Sequence, residues 1–231
     1  MSSNQSKDDI RKQQLLAMGA ELGELYNALY NEVIWLHAKW LEFRKLYAVS
    51  PQQIVLLNET AGFFFYVVED VLWNDVLLHL ARLIASPKSM GNDNLTLKRL
   101  PEALTQPELV AEVQRLIDQA ETKTSFVPDW RNRRLAHTDL ALALQDQSVQ
   151  PLSKVSRQDI ESALEAFRNV LNRISEEYGL GQTGFEYFQS HGNAEALVYQ
   201  LRVAVAAENQ RQERFRRGKP LPEDLETPPE A

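Results

Sequence analysis

Apolar side chains return at helical intervals over most of the chain. From about Asp9 to Val49, Leu15, Leu22, Leu25, Leu29, Val33, Leu36, Trp40, Phe43 and Tyr47 recur at spacings of three, four and seven. That is one face of an α-helix. Ser50-Pro51 ends the run, because proline disfavours helix in the residue before it and suits a helix start. A second long helix is predicted from about Pro51 to Ala85. Its middle is apolar around much of its circumference, which predicts a central place in a bundle. At a rise of ~1.5 Å per residue each helix runs ~50 Å, long enough for an antiparallel pair.

Shorter elements follow. S-P-K-S-M-G-N-D-N, from Ser86 to Asn94, reads as a loop, and a short helical piece is predicted from about Leu95 to Leu104. Thr105-x-x-Glu108 reads as a capping box with Pro107 in the first turn, opening a helix that carries Leu109, Val113, Leu116, Ile117 and Ala120. Ser125-Phe-Val-Pro128 interrupts it, and Asp129 is the expected N-cap of a helix from about Trp130 to Leu144. Ser156-x-x-Asp159 caps the next, with Ile160, Leu164, Phe167, Leu171, Ile174 and Tyr178 on one stripe and Gly179 just past its end. A last helix is predicted from about Asn193 to Arg217. The expectation is an all-α bundle with two long antiparallel helices and three to four shorter ones. It occupies residues 9–217, after a flexible N-terminus over 1–8 and before a disordered, proline-rich acidic tail over 218–231.

Composition narrows the chemistry. The 231 residues carry a net charge of −7, so general adhesion to nucleic acid or an anionic membrane is disfavoured and any such contact must be local. There is no cysteine, which removes disulfides, thiolate nucleophiles and cysteine-bearing zinc sites. The polar start M-S-S-N-Q-S-K-D-D does not read as a signal peptide. The apolar run A-G-F-F-F-Y-V-V is far short of the ~20 residues that span a bilayer. A cytoplasmic protein without a membrane partner is expected. No two histidines fall at a metal-ligand spacing, and no glycine-rich phosphate loop or nucleophile elbow is present, so neither metal nor cofactor is expected.

The densest chemistry lies in D-W-R-N-R-R-L-A-H-T-D-L, Asp129 to Leu140, which places Arg131, Arg133, Arg134 and His137 close together. Near a helix N-terminus, free N–H groups and guanidinium forks describe a phosphate site. In a regular α-helix Arg133 shares a face with His137, whereas Arg131 stands about 120° around, at ~100° per residue. The plain alternative is a set of solvated arginines paired with Asp129 and nearby acids. Asp75, His79 and Arg82 stand at i, i+4 and i+7 on the second long helix. They form either a polar cluster that lines or braces the site or an intrahelical charge ladder. His37, between Trp35 and Trp40, reads as a packing residue, and His191 as structural or exposed. The basic stretch R-Q-E-R-F-R-R-G-K, Arg211 to Lys219, reads as a solvated helix end favoured by the dipole rather than as an RNA contact.

W-R-N-R-R-L-A-H-T-D resembles the signature of the HEPN superfamily, an arginine, usually a polar residue next, then a histidine after four to six others. Arg131, Asn132 and His137 fit it. The A-H-T-D wording, with the upstream W-N-D-V-L-L-H-L-A-R-L and N-L-T-L-K-R-L, is similar to the AbiU-like abortive-infection branch. The likeness covers roughly Phe63 to Leu140, and the flanking helices by architecture only. It selects Arg131 as the motif arginine, with Arg133 kept as a possible partner of His137. It implies a metal-independent endoribonuclease of a toxin or anti-phage system, or a relative without activity. Arg131, His137 and Asn132 would be catalytic, Arg133 and Arg134 would hold RNA phosphate, and Asp75 and Arg82 would line or brace the site. RNA, with tRNA as a candidate, a homodimer with a composite site, and an antitoxin or regulator are the implied partners. The competing expectation is a non-catalytic HEPN-like module that binds RNA or a nucleotide or acts as a dimeric scaffold. Burial of His137 against the core would favour it.

Overall fold

The computed structural model describes residues 6–136, 139–144, 150–187 and 192–225. Among these the protein is an all-α helical bundle, with nine α-helices and one small hairpin. The helices are α1 (Lys7–Met18), α2 (Ala20–Tyr47), α3 (Pro51–Leu83), α4 (Leu100–Ala103), α5 (Pro107–Lys123), α6 (Val127–Trp130), α7 (Leu140–Ala143), α8 (Arg157–Glu177) and α9 (Ala194–Arg216). The strands are β1 (Lys88–Ser89) and β2 (Asn92–Asp93). Two compact units emerge, one from residues 1–41 and 71–188, the other from 42–70 and 189–231.

In the first unit the stripes predicted for α2, α5 and α8 form the core together with the end of α3. Leu29, Val33 and Leu36 of α2, Val76, Leu77 and Leu80 of α3, Val113 and Ile117 of α5, and Ile160, Phe167, Leu171 and Ile174 of α8 are all buried. Each such side chain contributes about 1.5–3 kcal/mol of hydrophobic stabilisation. The α2 and α3 segments run antiparallel. Glu32 meets His79, Lys39 meets Asp75, and the rings of Trp40 and Trp73 lie 6.2 Å apart. Helix α5 lies along α8, and Arg173 Nε donates to Glu112 at 2.7 Å across them. The Ser156–Asp159 capping box forms as read, and Gly179 follows α8 at φ +70°.

The first long helix does not run unbroken. Gly19, at φ +80° and ψ 172°, separates α1 from α2, a conformation that suits glycine. Helix α1 doubles back onto α2 so closely that a Cβ on Gly23 would stand 2.9 Å from Leu15 Cα. Arg11 pairs with Glu24, and Asn27 Nδ2 donates to Gln14 at 2.6 Å. The seven-residue step from Leu15 to Leu22 carries the helical rhythm across the break, which is why spacing hides it.

Other local expectations change too. Helix α5 starts after Gln106, not Thr105, and has no side-chain cap. Asp129 is not an N-cap but sits inside α6, which starts at Val127. The expected loop over 86–94 holds the β1–β2 hairpin, turned at Met90 (φ 48°) and Gly91 (φ 83°). Both central residues need positive φ in a tight hairpin turn, and Met-Gly is a weak signal for it.

In the second unit, α3 breaks at Ala61 (φ −157°, ψ 61°), so the second long helix is also interrupted. Its aromatic middle is not enclosed among the described residues. Leu57 and Phe65 are buried, but Phe63, Phe64 and Tyr66 are 81%, 59% and 67% exposed. A helix apolar on all sides needs cover on all sides, and here one face has none among the described residues. Tyr47 Oη donates to the Phe65 carbonyl at 2.8 Å. The Ala194 amide at the start of α9 donates to Glu42 at 2.6 Å. Beyond α9, Pro222–Leu225 forms a 3₁₀ turn whose Asp224, 3% exposed, is held by Arg214.

Candidate functional site

The R-N-R-R-L stretch is a π-helical turn, Arg131–Leu135, continuing directly from α6. The Ala136 amide donates to the Arg131 carbonyl at 2.8 Å, a reach of five residues. Such wide turns are rare and concentrate at functional sites. Here the widening moves the register by one: residue 136, not 135, stacks over Arg131. His137 lies outside the described residues, as does His191.

The neighbouring arginines are divided between two tasks. Arg133 is tied down: Nη1 donates to Asp129 Oδ1 at 3.1 Å, Nη2 donates to the Gln150 carbonyl at 2.7 Å, and Nε lies 3.8 Å from Asp139. Asp129 also accepts from the Ser153 amide at 2.7 Å and hydroxyl at 2.9 Å, and Trp130 Nε1 donates to the Ser153 carbonyl at 2.8 Å. The Ser153 amide, the Ser153 hydroxyl and then Arg133 hold the Asp129 carboxyl below its ordinary range. Arg133 therefore straps the wide turn to the segment around 150–153. The Arg131 side chain is exposed and has no hydrogen bond or ion pair among the described residues. Asn132 and Arg134 are exposed as well.

Arg131 stands at the edge of a cleft of about 740 Å³. The end of α3, the hairpin, and the turn from α5 into α6 form its walls, and Arg82 lines it too. Thr96 supports one wall from within the core. Its buried hydroxyl reaches the carbonyls of Leu83 and Ala85 at 2.8 and 2.9 Å, closing the end of α3. Arg99 donates to the carbonyls of Asn94 and Pro87 at 2.7 and 2.8 Å, which fixes both ends of the hairpin.

The Asp75–His79–Arg82 set does not act as a ladder. Asp75 pairs with Lys39 of α2 and does not line the cleft. His79 is 2% exposed, with Nε2 2.8 Å from Glu32 Oε2 but out of hydrogen-bond alignment. Burial first, and then the Lys39 charge, push His79 down to about 4. His79 and Asp75 thus brace α3 against α2, while Arg82 opens into the cleft. His37 is a packing residue, stacked on Phe185 at 5.5 Å and pushed down to about 4 by burial. The basic stretch ending α9 is internally neutralised: Arg214 grips Asp224, Arg217 holds Glu213 at 2.8 Å, and Arg211 covers the Phe215 ring. Lys88, on the hairpin, also lines the cleft. Spacing offered no signal for it, because the hairpin itself read as a loop.

Among the described residues no cluster of three histidines and acids is placed to hold a metal ion, and no helix is long and apolar enough to cross a membrane. No curated protein and no solved structure matches the chain. The model of one family, AbiU2 of the HEPN type, matches residues 19–197, a span that takes in α2, the hairpin, the wide turn and α8. With most of its length matched, the chain belongs to the HEPN-type AbiU2 family.

Proposed function

We propose that the protein is a metal-independent endoribonuclease acting in the cytoplasm as the toxin or abortive-infection component of an anti-phage defence. The observation that carries this reading is the division of labour on the wide turn. Arg133 is consumed by Asp129 and the Gln150 carbonyl, while Arg131 is exposed at the edge of a cleft. A guanidinium without a side-chain partner among the described residues is suited to clamp a phosphodiester.

The chemistry requires few groups. The ribose 2′-oxygen attacks the adjacent phosphorus, the bond to the 5′-oxygen breaks, and a 2′,3′-cyclic phosphate and a free 5′-hydroxyl remain. A base takes the 2′ proton and an acid returns one to the leaving oxygen. Imidazole serves either role near neutral pH. Arg131 stabilises charge on the non-bridging oxygens, and Asn132 adds a hydrogen bond or orients His137. One motif histidine per chain suits a two-fold dimer, in which one imidazole acts as base and its copy as acid. The exposed Phe63, Phe64 and Tyr66 supply apolar surface that supports such an assembly. An antitoxin or regulator would hold the activity in check.

The test is cleavage of total RNA and purified tRNA in excess EDTA by wild type, Arg131→Ala and His137→Ala. Cutting by wild type alone, with 2′,3′-cyclic phosphate ends, is the expected result. RNA binding without cutting by a folded dimer would instead establish the non-catalytic binding module, which the same cleft supports. Cutting that disappears with EDTA would overturn the metal-independent chemistry.

A further inference from the structure

The cleft beside Arg131 has an unbalanced charge. Two of the three acids that line it are held by cations, Asp93 by Arg99 and Glu121 by Lys98, and the third, Glu32, faces the neutral His79 imidazole. Arg82, Lys88 and Arg131 line the same cleft, are exposed, and have no ion pair or hydrogen bond from their side chains among the described residues. They come from three elements, the end of α3, β1 and the wide turn, so no single helix face explains their convergence. A second cleft in the same unit shows the contrary pattern. There Arg168 pairs with Glu186, and Arg173 with Glu112 and Glu177. In a chain of net charge −7, three unpaired cations in one concavity stand out against this general neutralisation.

The wall that bears two of them is held in place before any ligand arrives. Thr96 closes the end of α3 just after Arg82, and Arg99 ties the ends of the hairpin that presents Lys88. Cations on fixed elements lose less entropy on binding than cations on a free loop. The volume, about 740 Å³, is that of a whole ligand site rather than of one phosphate. A cleft of this size can take a short stretch of single strand that carries more than one phosphate.

We propose that Arg82 and Lys88 form a backbone-binding wall for single-stranded RNA, seating phosphates next to the one that Arg131 clamps. This assignment rests on the ribonuclease reading of Arg131. It gives the hairpin a task that the motif does not: it sets which side of the scissile bond the strand occupies. The shared chemistry is the phosphate oxyanion, so a free nucleotide is the competing source.

The experiment uses the full chain and a labelled single-stranded RNA carrying 2′-O-methyl groups throughout, which binds but cannot be cut. Fluorescence anisotropy across a salt series compares wild type with the Arg82→Gln/Lys88→Gln pair, the single charge reversal Lys88→Glu, and an Arg216→Gln/Arg217→Gln control of equal charge change. Both wall residues are exposed, and circular dichroism checks each fold. The wall pair is expected to lose about ten-fold or more in affinity, with a salt slope shallower by roughly 1.4, as two fewer contacts on a single strand require. Lys88→Glu should weaken binding further than a neutral change at that site, and the control should match wild type. Equal binding by wild type and the wall pair, with wild type still cutting RNA, would overturn the wall and leave the ribonuclease standing. Equal competition by duplex RNA would overturn the single-strand assignment. Failure of wild type to bind RNA at all would overturn both readings. Binding of ADP that depends on Arg82 and Lys88, without RNA binding, would then identify the nucleotide as the ligand.

Discussion

The Ala136 amide donates to the carbonyl of Arg131 at 2.8 Å, five residues back. That one bond changes the register of the motif helix. In a regular α-helix Arg133 would be the natural neighbour of residue 137. With the wide turn in place, residue 136 rather than 135 stacks over Arg131. Arg133 is turned to a structural use by Asp129 and the Gln150 carbonyl.

Opposite consequences should follow from truncating the two arginines. Arg131→Ala should abolish RNA cleavage while changing unfolding free energy by less than about 0.5 kcal/mol, as an exposed side chain without partners allows. Arg133→Ala removes two charge-assisted hydrogen bonds, one part-buried and one exposed, and should destabilise by about 1–2 kcal/mol. Urea unfolding and cleavage assays on both variants decide it. A stable, inactive Arg133→Ala beside an active Arg131→Ala would move the phosphate clamp to Arg133.

Gly23 is required by proximity rather than by its own backbone angles. A methyl group there meets Leu15 Cα at 2.9 Å, and neither backbone can yield cheaply. Gly23→Ala should push α1 off α2, with loss of the Arg11–Glu24 and Gln14–Asn27 contacts and about 1–3 kcal/mol of stability. Faster amide exchange confined to residues 7–18 is the expected signature; unchanged exchange there would show that α1 does not depend on the close approach.

The buried histidines set a pH dependence. Burial, the larger cause in each case, pushes His37 and His79 from about 6.5 down to about 4. The unfolded chain takes up protons at these residues near pH 6.5, whereas the folded chain does so only near pH 4. Unfolding is therefore increasingly favoured as pH falls through that window, and the folded state is free of this penalty above it. Imidazole resonances of His37 and His79 should stay at their neutral positions from pH 7.5 to 5. A midpoint near 6.5 for either would mean that its ring reaches water.

The turn after α9 should respond to acid in the same direction by another route. Arg214, above all, and then the Leu221 amide hold the Asp224 carboxyl down to about 2, from an ordinary value of 3.8. Its stabilising effect is complete above about pH 4 and is lost as pH falls through 2. Asp224→Asn should release the turn at neutral pH, visible as new proteolytic cleavage around Lys219 with α9 intact. Protection equal to wild type would show that the turn is held by other contacts.

How much of this was legible in the chain depends on the range of the interaction. The stripes of α5 and α8, the Ser156–Asp159 box, the end at Gly179 and the proline start of α3 are local. They follow from side-chain spacing and from the few residues that satisfy helix ends. Arg131, Asn132 and Arg82 could be named as candidates from residue type and spacing along one segment.

What the tertiary structure decided depends on residues distant in sequence. The break at Gly19 is invisible to a periodicity that continues across it, and it becomes necessary only because α1 must return within touching distance of Gly23. The apolar circumference of α3 predicted enclosure, yet periodicity cannot tell whether the covering surface belongs to the same chain. Asp129 read as a cap until Ser153, 24 residues on, claimed its carboxylate. The separation of a bound Arg133 from an uncommitted Arg131, and the convergence of Arg131 with Arg82 and Lys88 on one cleft, were likewise beyond local reading. Sequence patterning specifies which face of each helix avoids water; which cation is left without an acid is settled only when distant segments compete for the same carboxylates.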